Sequence, residues 1–194
     1  MDVTASKPLP AFGFLTALED PEHGFFGGYL VLSELGRPLE FHCSTPVFPN
    51  QAQKILYGAT LREYVLGELI GQTLLAKAKL PVLAVLTDLQ EMLSVTLVRP
   101  EKVGCVTPID LDATSPVTGV VSSFSRPEVV LDRYRLHGTE ICRWSGDQLA
   151  QNLAPLASHV DLLEPFERIC EAIREAQRMT QPLVDDENET SSAA

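Results

Sequence analysis

The sequence predicts an α+β fold: a mainly antiparallel sheet, made of two hairpins and a central strand, with helices packed on it in a single domain. Three observations support this prediction. Two segments combine strand-forming residues with turn residues, a short apolar run lies between helical segments, and several capping motifs mark helix starts. Elements in this order typically form a layered α+β domain. The chain has 194 residues, a length that suits one well-buried core.

The first hairpin is predicted over residues 25–43. This segment holds two runs rich in aromatic and branched side chains, separated by turn residues. Gly27 and Gly28 indicate a bulge or a tight entry into the first strand rather than a phosphate-binding loop, because no helix follows them directly. Residues 1–24 contain many prolines and small polar side chains, so we expect a flexible N-terminal arm there.

Capping motifs predict two consecutive helices after this hairpin. Asn50 and Gln53 have the spacing of a capping box, in which each side chain accepts a hydrogen bond from the other residue's backbone N–H. This box opens a short helix. Thr60 and Glu63 form a second predicted box, which opens a long helix over residues 60–79 with lysines near its C-terminus, where they complement the helix dipole.

The remaining elements are predicted mainly from apolar periodicity and capping residues. A continuous apolar run over residues 81–86 is typical of a central strand covered on both faces. The elements that follow are one or two helical turns over 87–95, a loop over 98–127 containing a strand at 117–124, a hairpin over 129–144 that turns at 137–139, and helices over 145–158 and 161–179. Residues 25–180 thus form the predicted domain, and residues 181–194 a disordered acidic tail.

Composition and charge narrow the classes of function. The formal net charge is −11, which argues against sequence-independent nucleic-acid binding, because such binding needs basic side chains. No signal-peptide core is present, and no apolar run reaches the roughly 20 residues that cross a bilayer. Four scattered cysteines favour reduced thiols. We expect a cytoplasmic protein with no membrane or nucleic-acid partner, no metal and no cofactor.

The second strand of the first hairpin has clear two-residue alternation. Leu39, Phe41 and Cys43 share one face, and Glu40 and His42 share the other. The apolar set is expected to face the core and the polar pair to face solvent. Because adjacent side chains point to opposite faces, His42 and Cys43 cannot form a catalytic dyad.

Four residues are weak candidates for a catalytic or metal-binding group. Glu40 and His42 lie on one face of a predicted strand and would transfer protons or hold a metal ion if a third group joined them. Asp88, just after the predicted central strand, and His137, in the second hairpin, are the candidates for that third group. Nothing in the sequence brings them together.

The strongest functional indication is the long helix. Gly67 and Gly71 lie four residues apart on one face, and glycine inside a helix costs about 1 kcal/mol relative to alanine. The pair therefore indicates a close contact, made with the sheet, with a second protein chain or with a ligand. The flanking side chains are apolar almost all the way round, as in a buried or shared helix. The candidate interface residues are Leu66, Gly67, Ile70, Gly71 and Leu74.

The sequence favours a non-catalytic interaction or accessory protein that contacts itself or a protein partner through this helix. One alternative is a small hydrolase or metal-dependent enzyme that uses Glu40, His42 and Asp88, which requires these three side chains to meet in one cleft. Another is a small-ligand sensing module, which requires an enclosed apolar pocket. The interaction hypothesis requires apolar side chains of the helix to be exposed.

Overall fold

The computed structural model describes residues 10–109, 128–138 and 146–180, which form a seven-stranded mixed sheet with helices on both of its faces. The strands are β1 (Ala11–Asp20), β2 (Gly24–Ser33), β3 (Pro38–Cys43), β4 (Ala84–Thr87), β5 (Val103–Pro108), β6 (Glu128–Leu131) and β7 (Tyr134–His137). The helices are α1 (Gln51–Tyr57), α2 (residues 61–77, in the segments Leu61–Glu63, Tyr64–Gly71 and Gln72–Lys77), a 3-10 helix (Gln90–Leu97), α3 (Gly146–Ala157) and α4 (Glu164–Thr180).

The strand order across the sheet is β3-β2-β1-β4-β5-β7-β6. β1, β4 and β5 run parallel to one another, and the other neighbouring pairs are antiparallel. The α+β class is confirmed, but the prediction of a mainly antiparallel sheet is wrong. The reason is topological: α2 and then the 3-10 helix return the chain to the same end of the sheet, so each following strand enters in the same direction.

β1 lies in a segment that the sequence analysis assigned to a flexible arm, and that assignment is wrong for residues 11–20. The strand is central, paired with β2 over its whole length and with β4 over Phe12–Phe14. Phe12 and Phe14 face one side of the sheet, and Leu15 faces the other. The prolines near this segment are typical of a loose arm, but both faces of the strand are covered by the rest of the protein. Residues 1–9 lie outside the described residues.

Two apolar clusters cover the two faces of the sheet. On one face, α3 and α4 pack over side chains that include Phe14 and Leu86, and the Phe14 and Phe166 rings meet edge to face with their centroids 5.5 Å apart. On the other face, α2 and the 3-10 helix pack over side chains that include Val31 and Val85. Successive side chains of each buried strand therefore belong to opposite cores, one on each face of the sheet. The molecule thus has three layers, with helices on both sides of the sheet.

One of the two predicted capping boxes is present. The Gln53 N–H donates to Asn50 Oδ1 at 2.8 Å and the Asn50 N–H donates to Gln53 Oε1 at 2.9 Å, which confirms the start of α1. The box predicted at Thr60 is wrong. Its hydroxyl donates to the Tyr57 carbonyl at 2.9 Å instead, because a 3-10 turn over Gly58–Thr60 joins α1 directly to α2.

The second hairpin also differs from its prediction. β6 and β7 are joined by a tight turn at Asp132 and Arg133, and Asp132 has a positive φ of 51°. The predicted turn at residues 137–139 is therefore wrong, because His137 is still paired in the sheet. Asp is one of the residues that tolerate this left-handed conformation. The strand predicted at 117–124 and the tail over 181–194 lie outside the described residues.

Candidate functional site

Glu40 and His42 form a close pair on β3. The distance from His42 Nε2 to Glu40 Oε1 is 2.6 Å, and the same carboxylate accepts hydrogen bonds from the backbone N–H groups of Lys79 and Leu80, each at 2.9 Å. Burial raises the pKa of Glu40, but the hydrogen bonds from His42, Leu80 and Lys79 outweigh burial and lower it. The carboxylate is therefore held in its charged form and ties the end of α2 to the edge of the sheet.

Asp88 does not join this pair. Glu40 lies opposite Val31, Val31 opposite Gly13, and Gly13 opposite Val85, so three strand spacings, about 14 Å, separate Glu40 from β4. Asp88 lies three residues further along the chain. It also contributes to a cleft on the α4 side of the sheet, whereas Glu40 lies on the α2 side. The requirement that Glu40, His42 and Asp88 meet in one cleft is not fulfilled.

His137 is also separate from the other candidates. It lies opposite Cys105 of β5, which in turn lies opposite Thr87 of β4, so two strand spacings separate it from β4. Its Nε2 lies 3.4 Å from Thr107 Oγ1, and its Nδ1 lies 3.8 Å from a Glu128 carboxylate oxygen. Within the described residues, no three His, Cys, Asp or Glu side chains are arranged to hold a metal ion.

The cleft beside Asp88 has a volume of about 550 Å³ and lies between the ends of β4 and β5 and helix α4. Asp88 is solvent-accessible, yet the protein packed around its carboxyl raises its pKa, an effect that the nearby Thr16 hydroxyl opposes. That hydroxyl is buried and has no hydrogen-bond partner within bonding distance among the described residues. Burial, followed by the charge of Asp88, raises the pKa of Cys170 on the α4 wall.

The chemistry of this cleft does not favour nucleophilic catalysis. A catalytic cysteine needs a lowered pKa and a neighbouring base, whereas the pKa of Cys170 is raised. Cys170 is not among the candidates predicted from the sequence, and the helical spacing of the apolar residues around it is the signal that places it near the core. The cleft walls also carry Glu167, Glu171 and Arg174, so this is not the enclosed apolar pocket that a sensing module requires.

The five predicted interface residues lie in the core of this chain. Leu66, Ile70 and Leu74 are buried between α2 and the sheet, and Gly67 and Gly71 are buried against the 3-10 helix. A Cβ atom on Gly67 would lie 1.9 Å from Ser94 Oγ. The predicted close contact is therefore made within one chain, and these five residues are not available as a contact surface while the core stays packed.

The apolar surface lies instead on the short helix that precedes α2. α1 contains no buried residue. Leu56 is 82% exposed and Ile55 is 70% exposed, and Phe48, just before the helix, is 61% exposed. Tyr57 is also exposed, and its ring stacks on Tyr64 of α2 with centroids 4.0 Å apart. We call Phe48, Ile55, Leu56 and Tyr57 the α1 surface.

β3 carries a second set of exposed apolar residues. Leu39, Phe41 and Cys43 alternate along one face as predicted, but all three are exposed, and the polar face is the one that packs against the end of α2. The expectation that the apolar set faces the core is wrong, because α4 packs over β1 and β2 and not over the edge strand.

No protein family model, curated protein or solved structure matches this chain. No helix among the described residues combines the length and the apolar character needed to span a membrane.

Proposed function

We propose that this chain is a non-catalytic interaction or accessory protein, and that the α1 surface binds a protein partner. One observation carries the proposal: α1 buries none of its own residues, although two of its seven are Ile and Leu. Helices of globular proteins are normally stabilised by an apolar face that packs on the core. In α1 that face is exposed and thus available to another molecule.

The chain holds α1 in helical form without burying it. A helix of this length is not stable in water by itself. The Asn50–Gln53 capping box fixes its first turn, and the stacking of Tyr57 on Tyr64 attaches its last turn to α2. These contacts keep Ile55 and Leu56 ordered on the surface, which lowers the entropy cost of binding.

The charge distribution identifies the chemistry of the partner surface. Residues 44–61 contain one charged residue, Lys54, whereas the whole chain has a net charge of −11. An interface core depleted of charge and rich in aromatic and aliphatic side chains is typical of protein–protein contacts. We therefore expect the partner to present an uncharged apolar groove that accepts Ile55 and Leu56.

Two alternatives from the sequence have less support. The hydrolase or metal-dependent enzyme needs Glu40, His42 and Asp88 in one cleft, and the strand register separates them. The ligand-sensing module needs an enclosed apolar pocket, whereas the Asp88 cleft is walled by several charged side chains.

The first step is to express in cells a chain in which a photo-crosslinking amino acid replaces Leu56. A matched probe replaces Lys54, on the opposite side of the same helix. We expect one discrete crosslinked protein from position 56 and none from position 54. The captured protein is then purified, and its affinity for the wild-type chain is measured by calorimetry.

The decisive comparison is between two variants of α1 that change the charge equally. Ile55→Asp should weaken binding by about 1.5–3 kcal/mol, at least roughly tenfold in Kd, because one buried aliphatic side chain is lost. Lys54→Gln, on the opposite side of the helix, lowers the charge by the same amount and should leave the affinity nearly unchanged. Equal affinities for the wild type and Ile55→Asp, or identical crosslinks from both probe positions, would overturn the proposal.

A further inference from the structure

β3 forms one edge of the sheet. It pairs with β2 on one side, and no described strand lies on its other side. An edge strand exposes a row of backbone N–H and C=O groups that a further strand can pair with. No residue of β3 belongs to the α1 surface, so pairing at this edge is independent of the proposed function.

The hydrogen-bond pattern shows which residues of β3 direct their backbone groups outward. The Ser44 N–H donates to the Gly27 carbonyl at 2.9 Å, so this position bonds toward β2. Because hydrogen-bonded and non-bonded pairs alternate in an antiparallel ladder, His42 and Glu40 also bond toward β2. The N–H and C=O groups of Phe41 and Cys43 therefore point away from the sheet.

The side chains along this edge are unusually apolar for an exposed strand. Leu39 is 49% exposed and Phe41 is 41% exposed. The adjacent face toward α4 is open, and an open cavity of about 650 Å³ lies between Cys43 and Ile173 of α4, with charged side chains such as Asp20 and Arg178 in its lining. β3 contains no lysine or arginine, which are the residues that most often protect edge strands from pairing.

Features that usually prevent an edge strand from pairing with a further strand are found only at the first residues of β3. Pro38 occupies the first position, and a bulge interrupts the β2–β3 register next to it. Residues 39–43 remain a short extended segment centred on Phe41. A partner strand is therefore confined to this segment, which limits the registers that it can adopt.

We propose that this edge pairs with β3 of a second copy of the chain, antiparallel and with the two-fold axis at Phe41. In this register, Phe41 of one copy lies opposite Phe41 of the other, and their outward N–H and C=O groups bond to each other. Glu40 of each copy lies opposite His42 of the second copy, and Leu39 lies opposite Cys43.

A second copy of the chain suits this edge because the two-fold axis places complementary side chains of the two copies opposite each other. On the polar face, each Glu40 lies opposite an imidazole and not a second carboxylate, and it keeps its bonds to its own His42, Lys79 and Leu80. Apolar side chains meet on the other face. No pair of like charges lies directly opposite, although the chain as a whole is strongly acidic. The contact joins two seven-stranded sheets into one continuous sheet.

The first test is the mass in solution, measured by sedimentation velocity over a range of concentrations. We expect the wild type to form a dimer with increasing concentration and Phe41→Lys to remain a monomer, because two lysines would then face each other at the two-fold axis. Leu56→Lys makes the same change on the α1 surface and should still dimerise.

Two outcomes would overturn the inference. One is a wild type that stays monomeric at every concentration, and the other is a Phe41→Lys dimer as stable as that of the wild type. Thermal unfolding of both lysine variants establishes that they are folded. Because Phe41 is exposed on the edge strand, its substitution should leave the unfolding temperature close to the wild-type value.

The second test addresses the register. The double variant Phe41→Cys, Cys43→Ser places one cysteine of each copy at the two-fold axis, where opposite Cα atoms lie about 5.5 Å apart and within disulfide range. Mild oxidation should give a covalent dimer on a non-reducing gel. Leu35→Cys in the Cys43→Ser background, in the exposed β2–β3 turn, should not. A dimer that crosslinks at position 35 and not at 41 would contradict this register.

Discussion

Two glycines of β2 allow the helices on both faces to pack closely against the sheet. Gly27 and Gly28 are adjacent in β2 and face opposite sides of the sheet. A Cβ on Gly27 would lie 2.1 Å from Ile70 of α2, and one on Gly28 would lie 2.2 Å from Ile169 of α4. From the sequence, this pair indicates a bulge or a tight strand entry. The physical reason is different: a helix on each face approaches the strand too closely for any side chain.

Asp88 provides a prediction at the scale of one residue. Its folded-state pKa is raised from 3.8 by burial, so ionisation is less favourable in the folded protein than in the unfolded chain. As the pH rises through 3.8, the wild type therefore loses stability relative to a variant that cannot ionise. We expect Asp88→Asn to raise the unfolding temperature at pH 7 and to give no advantage below about pH 3.8.

The measurement is thermal unfolding of the wild type and of Asp88→Asn at several pH values. Glu167→Gln is a matched control, because it removes an exposed carboxylate from the wall of the same cleft. An Asp88→Asn variant that is less stable than the wild type at pH 7 would show that the charged carboxylate stabilises the fold.

At the scale of elements, the contact between α2 and the 3-10 helix replaces the partner interface expected from the sequence. The π-helical segment Tyr64–Gly71 widens α2 where it passes the 3-10 helix. Ser94 is held there because its Oγ lies 2.7 Å from the Glu63 carbonyl and 2.8 Å from the Glu91 carbonyl, which share its single hydroxyl proton. The close approach depends on a residue without a side chain at position 67.

Two glycine substitutions on α2 test this contact. Gly67→Ala places a methyl group against Ser94 and 2.8 Å from the Val95 backbone nitrogen, neither of which moves easily. We expect it to lower the free energy of unfolding by about 1–3 kcal/mol, as overpacking does. Gly71→Ala meets Val95 at 3.2 Å, and a gain in helix propensity of about 1 kcal/mol offsets that contact.

Urea unfolding of both variants checks this prediction. Gly67→Ala should lower the midpoint clearly, and Gly71→Ala should change it little, although both make the same chemical change one helical turn apart. Equal effects at the two positions would contradict the contact with Ser94. The same samples report on assembly, since a mutation that acts only inside the chain should not change the mass in solution.

At the scale of the whole molecule, every core residue among the described segments lies between Ala11 and Ile173. We therefore expect removal of residues 183–194 to leave the unfolding temperature unchanged, as measured by circular dichroism. That segment carries four acidic and no basic side chains, so its removal changes the formal net charge from −11 to −7. The shortened chain should therefore elute from an anion-exchange column at lower salt than the full chain. A drop of several degrees in the unfolding temperature would contradict the prediction.

Local chemistry was sufficient to predict several parts of this protein. The Asn50–Gln53 box, the part of the strand predicted over 81–86 that lies at residues 84–86, and the alternation of β3 each depend on residues close together in the sequence. The first three residues of that predicted strand are neither in a strand nor buried. Capping and strand periodicity are local effects, and they are therefore visible in the sequence. The functional candidates could not be assessed in this way, because the distance from Glu40 to Asp88 depends on the order of four strands.

The sequence by itself determined the α+β class, the start of α1 and the requirement for close packing at Gly67 and Gly71. Only the tertiary structure decided which faces are covered. It placed β1 in the centre of the sheet, buried the predicted interface of α2 against the sheet and the 3-10 helix, and left α1 and the edge of β3 exposed. The physical reason is that an apolar face is recorded in the sequence, whereas the identity of the surface that covers it depends on long-range packing.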